Sequence, residues 1–459
     1  MSISEQVALV RKTFDAGTTR PVAWRLKQLE ALERMLTEGE PQIAEALAVD
    51  LGRPPNDTFL GDIAPPLAEV RFARKHLRRW MRSRRVGLPL SQRPGKAWYS
   101  YEPLGVVLVI GPWNYPVYLT IGPLVAAIAA GNCAVIKPSE HAPSTARVIR
   151  ELVEQYLDPD AFLVLEGGPE VTQDILAQAM DLAFFTGGPE IGKAVMAAAA
   201  PHLTPVILEL GGKCPAVIAP DANLGVAARR IAWTKLMNSG QTCIAPDYLM
   251  VDETVWSDFR SELLTAFKEL SPNGDGGRAL PIVSPRHAAR LEGLLTGHGG
   301  TVITGGDVDP GFDTGKGTAD LTVVLDPALD SPLMTEEIFG PLLPVVPVRS
   351  VDQAMEHIGA GPKPLAAYLF SGSRSTQRAF RENVAAGAIV ENHIAMHVLV
   401  PELPFGGVGN SGMGAYHGKW GFEAFSHRKA NLHRPTWLDP RFAYPPYSKR
   451  TERLLRKIF

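Results

Sequence analysis

Apolar residues fall at helical spacing through the first part of the chain, up to about Arg85. Leu26, Leu29, Leu32 and Leu36 draw one stripe through an otherwise charged segment, the i, i+3, i+4 pattern of a helix face. From Ala97 the period changes. Short apolar runs at 106–110, 134–136, 162–165 and 182–185 predict strands, and the segments between and after them, 119–130, 144–156, 170–179 and 190–200, predict helices. Strands alternating with helices predict a parallel sheet covered on both faces. Such sheets bind ligands beyond the carboxyl ends of their strands. A second series follows a join near 206–212. Strands are expected at 248–251, 302–304, 321–325, 342–348, 367–370 and 388–391, with helices at 255–269 and 285–295. Residues 401–459 are rich in Gly, Pro and aromatics, and the final YSKRTERLLRKIF has the pattern of a short basic amphipathic helix.

Composition narrows the class. The 459 residues suffice for two or three domains, and 46 Lys plus Arg against 48 Asp plus Glu leave a net charge of −2, no global attraction for nucleic acid or anionic membranes. The basic segment 71–85 is therefore read as a solvated helix face. Residues 111–136 carry no charge, but Pro112, Pro116, Pro123, Gly131 and Asn132 interrupt them, so a buried turn, helix and strand is expected rather than a membrane span. The N-terminus lacks the apolar core of a signal peptide. Three cysteines without CxxC spacing argue against a disulfide framework or a metal site and for a reducing, cytoplasmic setting.

Two glycine motifs invite a nucleotide. Residues 407–412, GVGNSG, match GxGxxG but follow a PELPF turn and precede more glycine; without a strand before and a helix after, they read as a tight loop. Residues 187–193, GGPEIGK, follow an expected strand and enter an expected helix. Ala194 stands where a phosphate loop needs a hydroxyl for magnesium, which disfavours a triphosphate hydrolase. The geometry still suits a dinucleotide pyrophosphate at a helix N-terminus.

Cys133 (AAGNCAVIK) and Cys214 (GGKCPAVIA) open apolar strands and read as core residues. Cys243 differs: it lies in the polar, turn-rich NSGQTCIAPD, where a thiol meets substrate. Glu209 is a lone carboxylate in the apolar run VILEL, either paired or shifted into use as a base. Asn114 follows the strand-like VVLVIG, where a side-chain amide either is structural or stabilises an oxyanion. Thiol, carboxylate and amide together form a set suited to acyl chemistry.

PWNYP at 112–116, KPSE at 137–140, FTGG at 185–188, LELGGK at 208–213, GQTC at 240–243, EEIFGP at 336–341 and PFGGVGNSGMG at 404–414 occur in an order that resembles the aldehyde dehydrogenase superfamily, and GQTCIAPDY with SGMGAYHGKWGFEAFSH resembles its class 3 branch. The resemblance implies an α/β fold in three parts: a Rossmann-like dinucleotide-binding domain, an α/β catalytic domain and a small bridging, oligomerising element. The expected division is 1–208 with a bridging hairpin near 86–103, then 209–396, then 397–459. It implies NAD or NADP as cofactor, an aldehyde as substrate and a homodimer. It assigns Cys243 as nucleophile, Asn114 and the Cys243 N–H as oxyanion donors, and Glu209 as the base that activates water. Lys137 and Glu140 would lie near the adenosine ribose; Gly187, Gly188, Ile191 and Gly192 would line the pyrophosphate and adenine; Glu337 would bind the nicotinamide ribose, with Phe339 beside the ring. Ordinary core packing for Phe339 and a carboxylate partner for Lys137 are the plain alternatives.

The implied reaction runs through a thiohemiacetal and a thioester on Cys243. The site is expected to favour the thiolate, because a free thiol with a pKa of about 8.5 is mostly protonated at neutral pH. Glu209 favours hydrolysis over transfer of the acyl group to coenzyme A or phosphate, the alternative within the same fold. Tyr115, Tyr118, Trp233 and the 393–400 loop are candidates for an apolar aldehyde tunnel, and medium-chain aliphatic or aromatic aldehydes are the class the resemblance suggests.

Overall fold

The structure, a computed structural model, describes residues 1–271, 273–303 and 311–458. Helices Ile3–Asp15, Val22–Glu38, Glu40–Leu51 and Ala64–Trp80 account for most of the first eighty residues. The leucine stripe turns inward as its spacing requires: Leu29, Leu32 and Leu36 are fully buried and Leu26 packs at the margin of the same core. The basic residues of Ala64–Trp80 lie opposite its buried Leu67, Val70, Ala73 and Leu77, so the segment is one amphipathic helix.

Two twisted sheets follow. The first has the order Gly412–Met413, Val206–Leu210, Leu182–Gly187, Val106–Ile110, Cys133–Lys137, Phe162–Val164, and is parallel except for its Gly412–Met413 edge. Every residue of Val106–Ile110 and Cys133–Lys137 is buried, as expected for strands covered on both faces. Helix Tyr118–Ala130 is buried throughout, which explains its charge-free sequence without a membrane. Among the described residues no helix is long and apolar enough to cross one.

The second sheet has the order Thr301–Val302, Thr322–Leu325, Leu342–Val348, Tyr248–Asp252, Pro215–Ile218, Ala366–Phe370, Ala388–Glu391, again parallel apart from its first edge. The strand expected at 302–304 begins one residue earlier, and Thr304 lies outside the described residues. A third, antiparallel sheet joins Arg84–Val86, Lys96–Pro103 and Ser426–His433. Its last strand reads SHRKANLH and has no apolar alternation, so periodicity gives no sign of it. Helix Lys449–Ile458 forms where the amphipathic pattern places it.

Side chains of interest gather at the carboxyl ends of the first sheet. Asn114 lies in the turn after Val106–Ile110, Lys137 ends Cys133–Lys137, Gly187 ends Leu182–Gly187, and Glu209 is the penultimate residue of Val206–Leu210. This is the rim where an open α/β sheet leaves room for a ligand.

Candidate active site

Helix Leu224–Leu236 ends in a loop whose backbone turns left-handed at Asn238, Ser239 and Gly240, with φ of 50°, 56° and 72°. Such a run is costly unless its surroundings over-determine it, and they do. The Asn238 amide donates to the carbonyls of Asn114 and Gln241, each at 3.1 Å. Gln241 donates to the carbonyls of Asn238 and Pro281 and accepts from Val283 N–H. Gly240 is needed here: a Cβ would lie 2.4 Å from the carbonyl oxygen of Gly340. The loop delivers Cys243 with part of its surface exposed, whereas Cys133 and Cys214 are buried. The Cys214 thiol donates to the Cys243 carbonyl at 3.3 Å, supporting the loop from below.

Asn114 is 3% exposed. Its side-chain amide donates to the Gln241 carbonyl at 3.1 Å, two residues before the thiol. An amide nitrogen carries two donors, so this contact orients the group and leaves one N–H. Beside it the Tyr115 and Thr242 hydroxyls meet at 2.9 Å, and Tyr115, Tyr118 and Leu119 form an apolar wall against Val398. Trp233 is 36% exposed.

Glu209 pairs in register with Gly412 and is buried, with neither carboxylate oxygen hydrogen-bonded among the described residues. Burial drives its pKa well above the usual carboxylate range. The Cys243 thiol is pushed up to about 12, first by burial and then by the Glu337 and Glu209 carboxylates, while the N–H groups of Cys243 and Ile244 pull the other way. The expectation of a site that favours the thiolate is therefore corrected. The groups acting most strongly on the sulfur disfavour its charge, and the thiol proton must leave during the reaction.

The expected cofactor residues form a second group. Lys137 donates to the Glu140 carboxylate at 3.2 Å and to the carbonyls of Pro138 and Gly167, so the plain carboxylate pairing is present. Gly187 and Gly188 join strand to helix Pro189–Ala199. Gly188 caps that helix without a side-chain bond and has open space where a Cβ would stand. Ile191 is 57% exposed beside buried Gly192, an apolar residue on the helix's first turn. Glu337 has its carboxylate against the Gly211–Gly212 turn: a Cβ on Gly211 would come within 2.2 Å of its oxygens, and burial raises it to about 7 against the pull of the Gly212 N–H. Phe339 is half-buried, at φ 49°, with its ring edge-on to Trp113 at 5.4 Å. A helix N-terminus without a side-chain cap, a polar pair at a strand end and an aromatic face at the rim fit a dinucleotide.

Periodicity missed the charged residues that hold these loops. Lys213, the last letter of LELGGK, donates to the Asp247 carboxylate and to the carbonyls of Leu333 at 3.0 Å and Glu336 at 2.8 Å. Asp247 accepts the Ile338 N–H at 2.9 Å, and Arg290 donates to the carbonyls of Glu337 and Ile338. Arg53 and Asp62, from the N-terminal helices, form a buried ion pair under Asn114. The one available signal was a charge inside a motif, as at Lys213. Arg53 had none.

Residues 2–431 match the aldehyde dehydrogenase family. The chain is 42% identical over 440 residues to the rat dimeric NADP-preferring aldehyde dehydrogenase, covering 94% of each protein. It is also 42% identical over 464 residues to Arabidopsis thaliana aldehyde dehydrogenase family 3 member H1, covering 99% of this chain and 94% of that one. The fold superimposes on the substrate-bound state of Staphylococcus aureus AldH with a TM-score of 0.93 and 37% identity, covering both chains completely.

Proposed function

Since the chain belongs to the aldehyde dehydrogenase family and oxidises aldehydes with NAD or NADP, we propose that Cys243 carries the substrate, Asn114 holds its oxyanion and Glu209 releases it by hydrolysis. The observation that carries this reading is the convergence of two loops and a strand end. The one partly exposed thiol of the three sits two residues from the carbonyl that orients the Asn114 amide, and close enough to Glu209 for that carboxylate to act on its proton affinity.

The chemistry follows from these positions. The Cys243 thiol gives its proton to solvent and its sulfur adds to the aldehyde carbon, whose C=O π pair moves onto oxygen, giving a thiohemiacetal oxyanion. The spare N–H of Asn114 and the N–H of Cys243 take the oxyanion; one such donor is typically worth about 2.7–4 kcal/mol of barrier. The hydride leaves carbon as the carbonyl re-forms, and NAD or NADP bound there would supply its acceptor. Lys137, Glu140, Gly187, Gly188, Ile191 and Gly192 would hold its adenosine and pyrophosphate, with Glu337 on the second ribose and Phe339 at the ring. Glu209, as the carboxylate, takes a proton from the water that attacks the Cys243 thioester; the new C–O bond forms as the C–S bond breaks, and the acid leaves with the sulfur returned as thiolate.

A hydrolytic carboxylate favours release of a free acid over transfer to coenzyme A or phosphate. The Tyr115, Tyr118, Leu119 and Val398 wall supports apolar substrates, medium-chain aliphatic or aromatic aldehydes. We further infer a cofactor domain over 1–208, a catalytic domain over 209–396 and a bridging segment over 397–459. The printed name of the rat relative supports a homodimer, a state that sedimentation equilibrium reads directly. The three free thiols support a reducing, cytoplasmic setting, which cell fractionation tests.

Stopped-flow formation of NADH tests the assignment. Glu209→Gln keeps the first burst of one hydride per site and loses at least 10²-fold in steady turnover, within the range typical of an acid–base group. Equal loss of burst and turnover removes Glu209 from deacylation.

A further inference from the structure

We propose that Arg53 is a positioning residue for the oxyanion amide, locking the Asn114 loop and the Cys243 loop into one rigid unit. The inference rests on the reading of Asn114 given above. Arg53 follows helix Glu40–Leu51 and has no role in the family motifs. Its side chain is 4% exposed. One guanidinium nitrogen donates both to the Asn114 carbonyl, at 2.5 Å, and to the Asn238 side-chain oxygen, at 2.8 Å; the other donates to Asp62. Its plane lies over the Tyr115 ring, 4.7 Å from the centroid.

Asp62 is fully buried and completes the frame. Its second oxygen accepts the N–H groups of Val117 at 2.9 Å and Tyr118 at 3.0 Å, so the carboxylate grips the turn that follows Asn114. It is carried by a short π-helical turn, Phe59–Ile63, a distortion that often marks functional positions. Arg53 and Asp62 thus hold residues 114–118 from two sides.

The acceptors are what separate this pair from ordinary scaffolding. Asn238 opens the left-handed stretch that ends three residues before Cys243, and its own amide returns to the Asn114 carbonyl. Arg53, Asn238 and Asn114 close a ring of hydrogen bonds linking the amide-bearing loop to the thiol-bearing loop. Only a planar fork of donors reaches two acceptors and a carboxylate from one buried charge. A displacement of about 1 Å in a reacting group can cost on the order of 10²-fold in rate. The N-terminal helices thereby enter catalysis through the second oxyanion donor, without touching substrate.

The test is single-turnover hydride transfer with ordinary and aldehyde-deuterated substrate. Arg53→Met keeps the burst amplitude of the wild type, slows the burst about 10- to 100-fold and exposes a primary deuterium isotope effect. Arg53→Lys recovers part of the rate. Asn114→Ala is slow as well, and Arg53→Met combined with Asn114→Ala is no slower than Asn114→Ala alone. If Arg53→Met leaves a stranded Asp62 that prevents folding, Arg53→Met with Asp62→Leu replaces it. Three outcomes overturn the proposal: a burst rate within twofold of wild type beside a slow Asn114→Ala, multiplied losses in the double variant, or a reduced amplitude with an unchanged rate, which marks mere unfolding. An Asn114→Ala burst at the wild-type rate instead overturns the oxyanion reading, and the proposal with it.

Discussion

Burial outweighs charge pairing at three glutamates, Glu69, Glu209 and Glu337, and raises the pKa of each. Glu69 shows the consequence for stability. It is 5% exposed, and among the described residues the Gly418 N–H alone donates a hydrogen bond to its carboxylate to offset the loss of water. Burial lifts it from 4.5 to about 7, and its neighbour His417, pushed down to about 3, brings no compensating charge. Between pH 4.5 and about 7 the folded chain binds a proton at Glu69 that the unfolded chain does not. The stability this provides is complete below pH 4.5 and is lost as pH rises through about 7. Melting curves from pH 5 to 8 therefore fall more steeply for the wild type than for Glu69→Gln, and parallel curves would contradict the assignment. At this scale the sequence exposed what its local context exposed. Cys243 stood out from Cys133 and Cys214 because turn residues surround it. Glu209 stood out as a charge in an apolar run. Its missing hydrogen bonds and the raised thiol were not legible, because both depend on how deeply the fold buries them.

The loops are held by charges delivered from distant elements. Lys213 leaves the first sheet and binds the segment 333–338, with Asp247 and Arg290 fixing the same backbone. That segment leads into Glu337 and Phe339, the residues assigned to the nicotinamide half of the cofactor. Hydrogen bonds from a charged group typically contribute about 1.5–3 kcal/mol, so Lys213→Met should weaken cofactor binding about 10-fold or more while the aldehyde KM changes little. Quenching of protein fluorescence by NAD measures the first and steady-state kinetics the second; an unchanged cofactor Kd would refute the clamp. Many elements were legible from their apolar runs, although helices Leu224–Leu236 and Val351–Ala360, each with buried residues, were not among those expected. The strands Val106–Ile110, Leu342–Val348 and Ala388–Glu391 have the expected bounds. Ser426–His433 was not legible, because its own residues are mostly polar and exposed and its place is fixed by backbone pairing with Lys96–Pro103.

Across the whole molecule, one arrangement makes the chemistry possible. The first sheet presents Asn114, Lys137, Gly187 and Glu209 along its carboxyl rim, and the chain that enters the second sheet at Tyr248–Asp252 brings Cys243 to the same place. Alternating strands and helices predicted two such layers, and the family motifs predicted which loops meet. The N-terminal helices were read only as helices, so their buried Arg53–Asp62 pair stayed hidden until the fold brought Asn114 onto it. The claim on which the rest depends is that the acyl group resides on one sulfur. The direct measurement is acid-quenched peptide mass spectrometry of Glu209→Gln after a single exposure to aldehyde and NAD. The account predicts the mass of the substrate acyl group on the peptide that contains Cys243, absent from Cys243→Ala. An unmodified Cys243 peptide after a full hydride burst, or the acyl group on Cys133 or Cys214, would contradict it.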